Sequence, residues 1–233
     1  MNTDALFSGL RSGLHPIVPF DSAKDKAVLL DFTDRNRDLT AEVLEDTARF
    51  CGYIDERLRR SGARYGVGGY LEHRTVYSRS KVFGDPETEE PRRLHLGVDI
   101  WGQEGTEVFA PLDGVMHSFA FNDRFGDYGA TLIVKHQIRE FVFHTLYGHL
   151  SVADLESLGE GQPVRAGQII AHFGPPKENG HWPPHLHVQI ILDMEGNRGD
   201  YPGVCKFSEK EKYALNCPDP AQILNIPGLV PGE

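Results

Sequence analysis

The chain has 233 residues, 39% of them apolar, and a formal net charge of −10. It is long enough for one sizeable core, and no stretch comes near the eighteen apolar residues that a membrane-spanning helix needs. The acidic balance and the lack of a basic patch argue against nucleic acid and anionic membrane as partners.

The opening residues, MNTDALFSGLRSGLHPIVPFD, lack the basic start and unbroken apolar run of a secretory signal, so a cytoplasmic location is expected. Residues 26–33 (KAVLLDFT) read as a short strand. Residues 39–60 read as one amphipathic helix, because Leu39, Val43, Leu44, Thr47, Phe50, Ile54 and Leu58 recur at spacings near three and four. Ser61 and Gly62 end it. Its expected role is packing, with Arg57, Arg59 and Arg60 on a solvated face. From about residue 65 glycine and proline become frequent and the apolar runs shorten to strand length. Residues 106–121, 130–137, 140–150, 163–174 and 185–193 each read as one or two strands, and a loop-rich tail follows from about Gly196. The expected fold is mainly β (α+β overall): an antiparallel β-sheet core with an N-terminal α-helical extension. The expected division is an extension over 1–80, a β domain over 81–225 and a tail over 226–233. The three cysteines, Cys51, Cys205 and Cys217, are widely spaced without a C-x-x-C pair. Reduced thiols are expected, with a Cys205–Cys217 pair left open.

Histidine carries the chemical signal. Seven of the eleven histidines lie between residues 136 and 187. The first constellation is His95-Leu96-Gly97-Val98-Asp99. On a straight strand residues four apart stand about 13 Å from one another, too far to share an ion. A bend is required, and Gly97 supplies one. The second is His185-Leu186-His187, where residues two apart face one side with Cα atoms about 7 Å apart. Leu186, Val188 and Ile190 alternate on the other face, as a core would. Pro183 and Pro184 stiffen the approach. The third is Tyr147-Gly148-His149-Leu150. His144 has opposite parity to His149, so on an unbroken strand only one of them lines a given site. Together these offer three metal ligands and free histidines, the composition of a catalytic zinc site. His181 and Trp182 adjoin this site, and His73, Arg74, Tyr77 and Arg79 are further candidates for a wall of the groove.

In this order and spacing the motifs resemble the lysostaphin-type, or LytM-like, zinc endopeptidases. The resemblance runs from His95 to about Leu192. It rests on His95–Asp99, Ala110-Pro111-Leu112-Asp113-Gly114-Val115, Tyr147–Leu150, Gly161–Ile170 and Pro184–His187. It implies a lysostaphin/LytM-type, duplicated-hybrid-motif-like sheet. It also implies His95, Asp99 and His187 as ligands of one zinc per chain, with His149 and His185 assisting catalysis. His185 is favoured as the base and His149 as the stabiliser of an oxyanion. Manganese and iron stay open as alternatives to zinc.

The implied function is a zinc-dependent hydrolase, metalloendopeptidase-like, acting on a peptide or amide and in its family setting on a peptidoglycan-related fragment. The long segment before the motifs and the Pro- and Trp-rich loop Gly174–Pro184 resemble a divergent intracellular branch, found joined to kinase-like and aminotransferase domains. An intracellular amidase for a small molecule and a non-catalytic binding module retaining the fold remain as alternatives. A biotinyl or lipoyl carrier shares some turns, but Lys135 lies in a strand-like run instead of at a hairpin tip.

Overall fold

A computed structural model describes residues 13–85 and 87–226. The segment read for a secretory signal lies mostly outside these residues, as does the tail beyond residue 226 with Pro227 and Pro231. The strands are β1 (Ala27–Leu30), β2 (Tyr65–Gly68), β3 (Leu94–His95), β4 (Val98–Trp101), β5 (Glu107–Phe109) and β6 (Gly114–Asn122). They continue as β7 (Gly129–Ile138), β8 (Phe141–Leu150), β9 (Pro163–Val164), β10 (Ile169–His172), β11 (His185–Ile191) and β12 (Val204–Cys205). Eight of them form one sheet in the order β1-β2-β4-β11-β8-β7-β6-β9. All its pairings are antiparallel except β1 with β2. β5 pairs with β10 and β3 with β12 in two small ribbons. The architecture is the expected one, strand-rich and antiparallel with few helices. The N-terminal segment contributes more than a helix, since β1 and β2 extend the sheet beside β4.

The single helix expected over 39–60 is two helices, α1 (Ala41–Glu45) and α2 (Thr47–Ser61). Asp46 between them is extended, and its carboxylate accepts from the Arg49 N–H at 3.0 Å. An aspartate that caps the second helix cannot also be an interior residue of the first, so the break falls there. Gly62, left-handed with φ 63°, closes α2. α2 buries Phe50 and Ile54, with the Phe50 ring 6.0 Å from that of Trp101 and 6.3 Å from that of Trp182. Two further helices, α3 (Lys210–Asn216) and α4 (Ala221–Leu224), follow the sheet. Among the described residues no helix is long and apolar enough to cross a membrane.

The register of the central strands places the chemistry. β11 is buried along its whole length. Leu186 and Val188 join Val98, Ile100, Leu132 and Tyr147 in the main core on one face. His185, His187 and Gln189 occupy the other. A one-residue slip would drive the imidazoles into that core and strip Leu186 and Val188 from it. Each buried aliphatic side chain is worth about 1.5–3 kcal/mol, so the hydrocarbon face fixes where the histidines point. Cys205 and Cys217 are buried and Cys51 partly so, all three as free thiols.

Candidate metal centre

β4 and β11 are neighbours, and His187 lies directly opposite Asp99, His185 opposite Trp101. Two side chains distant in sequence therefore share one face as a cross-strand pair. His95 joins them because the chain breaks direction at Leu96-Gly97. β3 runs with β12, whereas β4 runs with β11 and β2. The break needs glycine for space. A Cβ at Gly97 would stand 2.5 Å from His187 Cε1 and 2.6 Å from the Val188 carbonyl oxygen. The three side chains are 1–3% exposed.

Their facing atoms are close together. His95 Nε2 is 3.0 Å from His187 Nδ1 and 3.3 Å from Asp99 Oδ1, and His187 Nδ1 is 3.0 Å from Asp99 Oδ1. The opposite ring nitrogens settle the proton positions. His95 Nδ1 donates to the Gly69 carbonyl at 3.0 Å, which leaves Nε2 bare. Gln189 donates through Nε2 to the Pro202 carbonyl and to Cys217 Sγ, so its Oε1 faces His187 Nε2 at 3.0 Å and accepts from it. His187 Nδ1 is therefore bare as well. Two lone pairs and a carboxylate oxygen meet with no donor among them. Ligands held about 2.0–2.1 Å from a tetrahedral ion stand about 3.3 Å apart, so this set fits a divalent cation of zinc's size and taste for N and O donors.

Burial works to raise the Asp99 carboxyl, but His95 and Arg74 outweigh it and hold it well below the usual carboxylate range. Burial, then Arg74, pushes His95 down to about 4. The other Asp99 oxygen, Oδ2, accepts from Arg74 Nη1 at 2.5 Å.

His149 and His185 lie beside this set as a stacked pair, ring centroids 4.0 Å apart and planes 28° from parallel. Trp101 stacks on the far side of His185 at 3.9 Å. His185 Nδ1 donates to the Pro183 carbonyl and His149 Nδ1 to that of Asn179, each at 2.8 Å. Both Nε2 atoms are thus left as acceptors. Burial lowers both rings, His185 to about 4 and His149 well below its ordinary value.

His149 reaches this face through a bulge. Ala130 pairs with Leu150 and Leu132 with Tyr147, so Thr131 alone opposes Gly148 and His149. His149 takes the left-handed conformation, φ 64°, uncommon for a residue with a side chain. The bulge removes the unbroken strand that the parity argument assumed, yet only one of the two histidines, His149, lines the centre. His144, opposite Ile191, shares the face of His187, but it meets His117 (centroids 5.0 Å) and not the centre.

A cleft of about 470 Å³ opens onto these groups. Arg74, Tyr77 and Trp182 line it; His181 does not and is exposed, as is His73. Arg79 stands behind Trp182, its guanidinium 4.7 Å from that ring. Sequence reasoning passed over Tyr128, whose hydroxyl is 3.4 Å from His187 Nε2, and Gln189. Gln189 had a signal, because it sits one strand repeat beyond His187 on the same face. Tyr128 had none.

Residues 93–198 match the family profile described as Peptidase family M23. This segment is a peptidase family M23 domain. The M23 domain contains His95, Asp99, His149, His185 and His187, whereas Arg74 and Tyr77 precede it. The chain is 32% identical over 130 residues to the L-Ala--D-Glu endopeptidase of Bacillus subtilis, an alignment covering 53% of this chain and 37% of that one. It is 37% identical over 101 residues to the DD-carboxypeptidase/endopeptidase Mpg of Neisseria meningitidis, covering 43% and 21%. It thus spans well under two thirds of the length of these relatives. Solved structures similar to it include the catalytic domain of lysostaphin from Staphylococcus simulans, 20% identical, covering 70% of this chain and 96% of that one with a TM-score of 0.42. A zinc-containing peptidase from Vibrio cholerae is 27% identical, covering 46% and 30%, with a TM-score of 0.36.

Proposed function

We propose that the chain is a zinc-dependent hydrolase of the metallopeptidase type, cleaving a peptide or amide bond with water. His95, Asp99 and His187 hold one zinc per chain, and His149 and His185 move the protons. The supporting observation is the meeting of three acceptor atoms within 3.0–3.3 Å, each imidazole having its other nitrogen already committed as a donor. Bound there, zinc lowers the pKa of water toward neutrality and polarises a carbonyl.

The stacked pair supplies general acid–base capacity. Two imidazolium rings 4.0 Å apart repel, so beyond the two Nδ1 protons the pair takes up no more than one. His185, one strand repeat from His187, takes a proton at Nε2 and returns it to the leaving nitrogen. Asn179 holds the His149 proton on Nδ1, so while His185 is charged His149 Nε2 stays an acceptor that orients the attacking water, in place of the oxyanion donor expected from the sequence. Trp101 and the Pro183 carbonyl fix the His185 ring in place.

The names of the relatives support a peptide substrate of the peptidoglycan type. A second reading, a small amide, is favoured by the cleft. Its walls come from Arg74–Phe83 before the M23 domain and Asp200–Val204 after it, and about 470 Å³ lies within the range of small-molecule sites.

Metal analysis of purified protein is the test. We expect about one zinc per chain in the wild type and its loss in His187→Ala. His185→Ala should retain the zinc and lose about 10²–10⁴-fold in turnover of L-Ala–D-Glu-containing peptides or of a short amide. A wild-type chain that binds zinc yet turns over neither substrate would mark a binding module.

A further inference from the structure

Arg74 lies outside the M23 domain and is 1% exposed. Its Nε donates to Glu72 Oε2 at 2.7 Å, and its Nη1 to Asp99 Oδ2 at 2.5 Å and to the Tyr77 hydroxyl at 3.2 Å. Glu72 is held in turn, since its Oε1 accepts from the Phe32 N–H at 3.0 Å. The Phe32 ring lies 5.1 Å and the Tyr77 ring 5.9 Å from the guanidinium carbon. Gly68 leaves room for Nη2, where a Cβ would stand 2.4 Å away. The side chain is locked in its place. A buried guanidinium costs several kcal/mol in lost solvation unless its partners offset it, so the arrangement calls for a role.

Two effects on a nearby metal ion oppose each other. A guanidinium beside a dication repels it. A carboxylate held by one oxygen presents the other in a fixed direction, which favours binding. Glu72 decides the sign, because the Glu72–Arg74 pair brings no net charge and what remains is the hold on Asp99. Oδ2 is taken by Arg74, and Oδ1 alone faces His95 and His187.

We propose that Arg74 is a positioning residue for the metal centre: acting through Asp99, it makes that carboxylate a one-oxygen ligand, and it couples the N-terminal segment to the M23 domain. This rests on the zinc reading above. Lysine is no substitute, since a point charge on a flexible stem reaches one carboxylate and lacks the planar fork that bridges two.

The test uses the full chain as wild type, Arg74→Gln, Arg74→Lys and the double variant Glu72→Gln/Arg74→Met. Two quantities are read: zinc affinity by competition with a chromophoric chelator, and the visible spectrum of the cobalt(II)-substituted protein. Arg74→Gln should weaken zinc binding about ten- to a hundredfold and alter the cobalt bands, because a released carboxylate adds its second oxygen. Arg74→Lys should recover part of the affinity. The double variant removes both charges together, so it keeps the fold where the single variant loses it, and should show the same weakening. Wild-type affinity with an unchanged cobalt spectrum in a folded Arg74 variant overturns the proposal. A mere structural brace would lower the unfolding midpoint of the metal-free protein and leave both metal readouts alone. A wild-type chain that takes up no zinc is a different failure, that of the hydrolase reading itself.

Discussion

Gly97 shows how one missing methyl group shapes the centre. It lets β3 and β4 diverge and lets the His187 ring lie where a Cβ would be 2.5 Å from Cε1. Gly97→Ala should displace that ring and weaken zinc binding about tenfold or more, with chelator competition as the measurement. The motifs singled out the residues that meet at this centre, but spacing left open which of His185 and His187 would join His95 and Asp99; only the family resemblance chose His187. Their proton states were not legible. The carbonyls of Gly69, Asn179 and Pro183 decide those of His95, His149 and His185, and a backbone oxygen carries no residue identity to read; that of His187 rests on Gln189. Arg74 stood out only as a polar residue upstream. Its bond to Asp99 needed the packing of β2 beside β4 to become visible.

β1 and the strands between residues 106 and 193 came within a few residues of the expected runs, because buried strands must alternate or run apolar between breakers. β2, β12 and the two helices of the expected loop-rich tail are too short to show a period and went unread. Helix α2 is instructive in the other direction. Leu44, Thr47 and Phe50 keep helical spacing straight across Asp46, so periodicity hides the break that the cap creates. Asp46→Ala should cost about 1 kcal/mol. Urea unfolding should show it as a lower midpoint with an unchanged slope. The bulge in β8 was equally hidden, since no glycine or proline marks position 149 itself. Period-2 reasoning holds only while the ladder is continuous.

Acid sensitivity belongs to the molecule as a whole. His136, 0% exposed and far along β7 from the metal centre, donates from Nδ1 to the Asp113 carbonyl and meets the Thr145 hydroxyl at Nε2, both at 2.8 Å. Burial pushes it down to about 4, against about 6.5 in an unfolded chain. Above pH 6.5 neither state is protonated and this neutral histidine costs nothing. Between about 6.5 and 4 only the unfolded chain takes up the proton, so stability falls as the solution is acidified. Below 4 the loss is complete. Moving from pH 7 to pH 5 should cost about 2 kcal/mol through this one group. In His136→Gln that share of the pH dependence should vanish, which paired urea titrations at the two pH values would reveal.

β11 comes late in the sequence yet sits in the middle of the sheet, between β4 and β8. During synthesis both of those strands emerge first and wait with unsatisfied edges, each able to recruit a foreign strand. The gap closes only when His185–Ile191 arrives, and the same event delivers His187, the last of the three residues that meet at the candidate centre. Completion of the hydrogen-bond ladder and assembly of the ion site are therefore a single step. A nascent chain cut short of that strand has neither, and its failure would be seen as aggregation as well as lost metal uptake.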